Sequence, residues 1–242
     1  MKGKPAVLNF KYRFNFENGK TTEFTIQLRR NDLGLVAEPG ASQPPEWTRL
    51  EFNQCPNCPL RKETHPYCPI AVNVVDVVNF FKDVISYEKT YVTIETDSRT
   101  YIGKVSVQEG IKSLMGLFMA TSGCPVMDKL RPMAATHLPF PTIEESIYRL
   151  LSMYLLAQYF VLKDGGHPDW EMKKLLDICN EIQTVNRSFF KRIKQQGVKD
   201  ASLNAIVALD SFATYTASSL EDNNLDEMRE LFKGYLRHAS KR

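Results

Sequence analysis

Residues 8–28, LNFKYRFNFENGKTTEFTIQL, decide the reading of the first half of the chain. Leu8, Phe10, Tyr12, Phe14 and Phe16 alternate with Asn9, Lys11, Arg13 and Asn15, which is the period of a strand with one buried face. Asn18-Gly19 supplies residues that accept positive φ, so the chain reverses there. Phe24, Ile26 and Leu28 resume the alternation. The stretch is therefore a β-hairpin.

Working outward, residues 37–46 (AEPGASQPPE) read as a proline- and glycine-rich loop. Trp47 to Phe52 reads as a third strand leading into a cysteine cluster. Between Ile70 and Ile85, Val, Ile and Phe favour a strand by propensity, but Asn73, Asp76, Asn79 and Asp83 recur at helical steps. The spacing predicts a helix that is buried apart from that polar stripe. Residues 90–96 and 99–107 form a second hairpin, turning at Asp97-Ser98. Ser106 and Glu109 have capping-box spacing for a helix through Met119, ending near Gly123. Gly110 and Gly116 interrupt that helix at a cost of about 1 kcal/mol each relative to alanine, a cost that close packing would explain.

Beyond Cys124 the pattern changes. Pro125, Pro132, Pro139 and Pro141 break residues 125–141 into turns. Thr142 and Glu145 form a second capping-box pair, opening a helix that runs to Gly165-Gly166. Pro168 is placed near the first turn of the next helix, which carries Leu175, Ile178, Cys179, Ile182, Val185, Phe189 and Ile193 on one stripe. Helices about 201–220 and 225–239 complete a C-terminal bundle. The expected fold class is α+β: an antiparallel sheet of two hairpins plus one further strand, a Cys-rich loop, and a helical bundle. The expected division is 1–124 and 125–242, with Met-rich apolar surfaces on both sides able to fuse the two into one unit.

Composition narrows the class without naming an activity. The 31 basic and 28 acidic residues give a net charge of +3, too near balance to drive binding to nucleic acid or anionic lipid. No run approaches the roughly 18 uninterrupted apolar residues of a membrane span, and the basic N-terminal residues lack a continuous apolar stretch of the signal-peptide kind. The expectation is a cytoplasmic protein with no membrane partner, with a protein partner or self-association favoured over nucleic acid as its mode of interaction. No glycine-rich phosphate loop or dinucleotide fingerprint is present. The cluster Lys191, Arg192 and Lys194 reads as a solvated face, because neighbouring Phe189 belongs to the core stripe.

The chemistry lies in the cysteines. Four of the five, Cys55, Cys58, Cys68 and Cys124, stand directly before proline, and the first three form a Cys-x2-Cys-x9-Cys cluster. Cys-x2-Cys is short enough for both thiolates to reach one ion, with Cys68 and Cys124 as the second pair. Proline suits the first position of a helix, so Cys68 and Cys124 are expected at N-caps, where backbone N–H groups and the helix dipole favour the thiolate. Structural zinc is the leading reading. A 4Fe-4S cluster takes the same four ligands but not this spacing, and free thiols remain the third possibility. Cys55-Pro56-Asn57-Cys58 resembles a zinc-ribbon knuckle, with Pro59 where such knuckles carry glycine. His65 and His137 are the possible substitute ligands by spacing. Cys179 falls on an apolar helix stripe and is read as core.

The enzymatic alternative makes Cys124 a nucleophile with His137 as base and Glu144 nearby, though no oxyanion device accompanies them. The phrases CPNCPL, SGCPVMDKLRPMAATHLPF and YRLLSMYLLAQYF together resemble an uncharacterised bacterial family with a domain of unknown function, over most of residues 50–215. The resemblance implies a bacterial cytosolic source and supplies no activity.

Overall fold

A computed structural model describes residues 6–36, 43–222 and 224–239; most of the proline- and glycine-rich loop expected at 37–46 lies outside them. Strands β1 (Val7–Phe16) and β2 (Thr21–Arg29) form the first hairpin, and β3 (Lys89–Thr96) and β4 (Thr100–Ser106) the second. They make one antiparallel sheet in the order β2-β1-β3-β4. Tyr12 pairs with Phe24 on one side and Ile94 on the other, so Phe10, Tyr12, Phe14 and Phe16 line the middle of a single buried face. Gly19, at φ +83°, supplies the left-handed residue of the first turn.

The third strand does not form. Glu46–Thr48 is a 3-10 turn, and Arg49 makes only an isolated bridge to Tyr67. That bridge is made by Cys68 N donating to Thr48 O (2.8 Å) and Leu50 N donating to Pro66 O (3.0 Å), and it goes no further because the carbonyls of Trp47, Arg49 and Leu50 all accept from the Arg192 guanidinium.

The helix expected from Ile70 divides into α1 (Pro69–Asn73) and α2 (Val75–Phe81), with Val74 at φ −116° between them. Asn73 Nδ2 donates to Pro69 O at 2.7 Å, competing for the carbonyl that the helical N–H of residue 73 would use. Helix α3 (Val107–Thr121) starts where the sequence places it, but Ser106 makes no side-chain cap. The amides of Val107 and Gln108 are satisfied instead by Glu88 O and Ser86 O, which frees Glu109 to pair with Lys112.

After α3 comes a 3-10 segment, Met127–Thr136, followed by α4 (Ile143–Lys163), α5 (Lys173–Lys194), α6 (Asp200–Glu221), α7 (Asp226–Leu231) and α8 (Lys233–Ala239). The Thr142/Glu145 capping box is made in full. Pro168 lies before the start of α5, not in its first turn. Asp169 holds the helix entry by accepting from Lys174 N at 2.7 Å and from Tyr154 Oη. The last helix of the sequence reading is the pair α7 and α8.

One core runs from the sheet through α3 into α5 and α6, crossing the proline-rich connector, and a second cluster joins α4 to Cys179 and Leu175 of α5. Helix α3 therefore sits between the sheet and α6. Its approach to the sheet needs Gly110. A Cβ there would lie 2.5 Å from Phe14 Cε1 and 3.0 Å from Val92 Cγ2, whereas one on Gly116 would meet Leu209 Cδ2 at an ordinary 3.4 Å. We expect Gly110→Ala to lose about 1–3 kcal/mol by overpacking, despite alanine's helix preference. Gly116→Ala should be neutral or gain up to about 1 kcal/mol. Urea unfolding of both variants checks this; equal effects at the two positions would refute the packing argument.

Candidate functional site: a four-cysteine pocket

Three separate segments bring cysteines to one place. Cys55 and Cys58 lie in the turn after the 3-10 segment, where Cys58 N donates to Cys55 O at 3.0 Å. Cys68 is the N-cap of α1, with Pro69 at the first helical position. Gly123, at φ +89°, ends α3 and turns the chain into Cys124. All four cysteines, Cys55, Cys58, Cys68 and Cys124, line one pocket of about 20 Å³, closed by Ile70, Val126, Val185 and Phe189, with Arg192 as its cation. Among the described residues, however, no three His, Cys, Asp or Glu side chains are drawn together closely enough to hold a metal ion. The thiols share a pocket without sharing a coordination point.

The electrostatics run against the sequence expectation of an activated thiolate. Burial pushes the Cys55 thiol up to about 11, with the neighbouring Cys68 adding to the rise and the Ser188 hydroxyl opposing it. Cys124 is raised too. Burial is again the largest cause and outweighs the N–H groups of Met127 and Val126, which are aimed at its sulfur. Cys124 is not the helix N-cap the sequence suggests, since the 3-10 segment begins at Met127 with Val126 as its cap; the amides that reach its sulfur belong to that turn, and desolvation outweighs them. Cys124 is therefore a protonated thiol at neutral pH, not a poised nucleophile.

Arg192 is the residue that sequence reasoning placed wrongly. It is only 2 % exposed, while Lys191 and Lys194 on either side are solvated. Its Nη1 donates to Trp47 O and Arg49 O, both at 2.7 Å, and its Nη2 to Leu50 O at 3.1 Å. Burial lowers its pKa, and charge on Cys68, Cys55 and Cys58 would raise it. One signal was available: Arg192 stands three residues after Phe189, on the apolar stripe.

The other candidates do not join the pocket. His65 is exposed and its Nδ1 meets Thr64 Oγ1 at 3.0 Å. His137 lines a different, larger cavity, where its Nε2 lies 2.5 Å from Tyr12 Oη. Glu144 is exposed in the first turn of α4, and its carboxyl is held below the usual range by its own backbone N–H first and Thr142 second. Cys124, His137 and Glu144 are thus not assembled as a catalytic set. Cys179 is fully buried in the second cluster, and burial lifts its thiol to about 11.

A model of a family described only as a domain of unknown function, DUF6901, matches residues 10–233. The chain belongs to this family. No curated protein and no solved structure matches it. Membership carries no activity, so function rests on the residues. Among the described residues, no helix is long and apolar enough to cross a membrane.

The His137–Tyr12 pair generates a pH prediction. Burial raises the Tyr12 phenol well above its ordinary value, so Tyr12 Oη donates and the neutral imidazole accepts. Burial first, and the Arg149 charge second, depress His137 from 6.5 to about 3. The folded state then binds this proton less tightly than the unfolded chain. The resulting stability is complete above pH 6.5 and is lost as pH falls toward 3. Denaturant unfolding should show stability falling below pH 6.5, with His137 contributing a slope of up to about 1.4 kcal/mol per pH unit. His137→Gln, which keeps an acceptor for Tyr12, should flatten that slope. An unchanged slope would assign the acid sensitivity elsewhere.

Proposed function

We propose that the protein is a metal-stabilised binding or regulatory protein whose Cys55, Cys58, Cys68 and Cys124 hold a structural zinc ion. The observation that carries this reading is the return of Cys124, from the far end of α3, to the pocket formed by the other three. Four soft ligands from three segments match a closed structural zinc site, in which each thiolate would have to come within roughly 2.3 Å of the ion. Arg192 fits the same reading, because four thiolates around a divalent ion carry net negative charge and a buried cation beside them offsets it. The pocket volume of about 20 Å³ suits a single ion better than a multi-iron cluster. A reducing compartment such as the cytoplasm would keep these thiols available.

Zinc binding must displace protons from Cys55 and Cys124, whose thiols are held protonated by burial, so affinity should rise with pH. Metal analysis of anaerobically purified protein should find about one zinc per chain. Chelation should lower Tm by at least about 10 °C, since several kcal/mol of coupled binding energy shifts a chain of this size by roughly 2–4 °C per kcal/mol. Cys124→Ser should reproduce that loss without chelator. Metal-free protein with an unchanged Tm would sink the proposal. Iron with sulfide and visible colour would replace zinc by a 4Fe-4S cluster on the same ligands.

For the partner, a specific surface favours self-association or a protein ligand. Leu156, Tyr159, Phe160 and Leu162 are exposed on the second half of α4. Steps of three and four put Leu156, Tyr159 and Phe160 on one face, a contiguous apolar area that a solvated helix has no reason to keep. Sedimentation velocity should show an oligomer that Phe160→Glu converts to monomer. A wild-type chain monomeric at high micromolar concentration would exclude self-association through this face.

A further inference from the structure

A second cavity, larger than the cysteine pocket, is separate from it. It lies among α3, the 3-10 segment 127–136, the start of α4, α5 and α6, has a volume of about 140 Å³ and is partly open to solvent. Its walls are mainly apolar, built from residues such as Leu117, Leu130, Met133, Ile182, Leu209 and Phe212. Several of its polar groups already have partners. Lys112 pairs with Glu109 at 2.7 Å, and Arg149 Nη2 donates to Met133 O and Thr136 O, both at 2.9 Å. Ser113 Oγ accepts from Phe140 N, Ser146 Oγ donates to Thr142 O, and His137 meets Tyr12.

Asn186 is different. It stands on α5, lines this cavity, is 1 % exposed, and neither its Nδ2 nor its Oδ1 has a hydrogen-bond partner. Buried polar atoms are nearly always paired, and leaving them unpaired costs about 1–3 kcal/mol per group. A carboxamide with both donor and acceptor free is complementary to another carboxamide, which can accept from Nδ2 and donate to Oδ1 as a planar two-bond pair. The size agrees, since a cavity of about 150 Å³ holds a benzene-sized molecule. Of the two cations at the wall, Lys112 is paired with Glu109 and the Nη2 of Arg149 is taken by two backbone carbonyls, so neither is a hydrogen-bond partner of Asn186.

We propose that this cavity is a binding site for a small neutral carboxamide with a compact apolar body, such as an aromatic amide, read by Asn186. The site is independent of the cysteine pocket, and its success or failure leaves the metal proposal untouched.

Benzamide, benzoate and toluene are the probes, titrated into the full chain and followed by protein-observed NMR. Benzamide should bind at least about tenfold more tightly than the other two, because toluene leaves Asn186 unpaired and benzoate accepts without donating. Asn186→Leu, nearly isosteric and apolar, should abolish that preference while retaining toluene binding. Ala208→Phe, at a half-buried wall position on α6, should block both ligands and serves as the second test if Asn186→Leu fails to fold. No benzamide binding, equal affinity for benzamide and toluene, or benzamide binding unaffected by either substitution would overturn the proposal; in the first case the amide is simply hydrated.

Discussion

The guanidinium of Arg192 is the contact on which the cysteine region depends. Residues 46–68 have little regular structure, so their backbone carbonyls cannot satisfy one another as a sheet would. Arg192 reaches out of α5 and satisfies three of them, on Trp47, Arg49 and Leu50. Those bonds are charge-assisted and shielded from water, where removing a donor leaves each carbonyl short by about 1–3 kcal/mol. Asn57 adds a neutral tie to the same helix, donating from Nδ2 to Glu181 O at 3.0 Å. An irregular loop becomes one wall of a pocket because a helix about three-quarters of the way along the chain holds it there.

The opposite wall is set by α3. Its N-terminal amides are anchored on carbonyls of residues 86 and 88, and its first half is pressed onto the sheet at Gly110. Its far end delivers Cys124 through the left-handed Gly123. The position of the fourth cysteine thus depends on a helix of fixed rise, 15 residues long, docked at one end against Phe14 and Val92. A β-carbon at residue 110 would press on Phe14 and Val92, the contacts that seat this end of the helix.

Local rules made much of this legible. Period-two alternation gave both hairpins, and the Thr142/Glu145 spacing gave a complete capping box. What escaped was settled by partners distant in sequence. Trp47–Phe52 has strand-like residues, yet its carbonyls are claimed by an arginine more than a hundred positions away. Ser106 and Glu109 have the right spacing for a capping box, yet two foreign carbonyls arrive first. Within the site, the four Cys-Pro steps singled out the four cysteines that line one pocket. The sign of its pKa shift was not readable. Cys-Pro suggested amides near the sulfur, which the turn after Cys124 supplies, but burial cannot be read from it, and here burial is the larger effect.

The two cavities are kept apart by a thin partition made of consecutive residues. On α5, Val185 faces the cysteine pocket and Asn186 faces the larger cavity; after α3, Val126 faces the first and Met127 the second. Successive residues on a helix point about 100° apart, so one turn of α5 serves two chemically unlike chambers without either intruding on the other. Ile182, one turn earlier, faces the larger cavity, and Phe189, one turn later, faces the cysteines, so the helix passes obliquely between them. A displacement of α5 along its axis would move Arg192 relative to the cysteine loop and Asn186 relative to α3 together. Side-chain changes at single positions act on one chamber, whereas changes in the seating of α5 act on both. Both chambers of the interior therefore share that one helix as a wall.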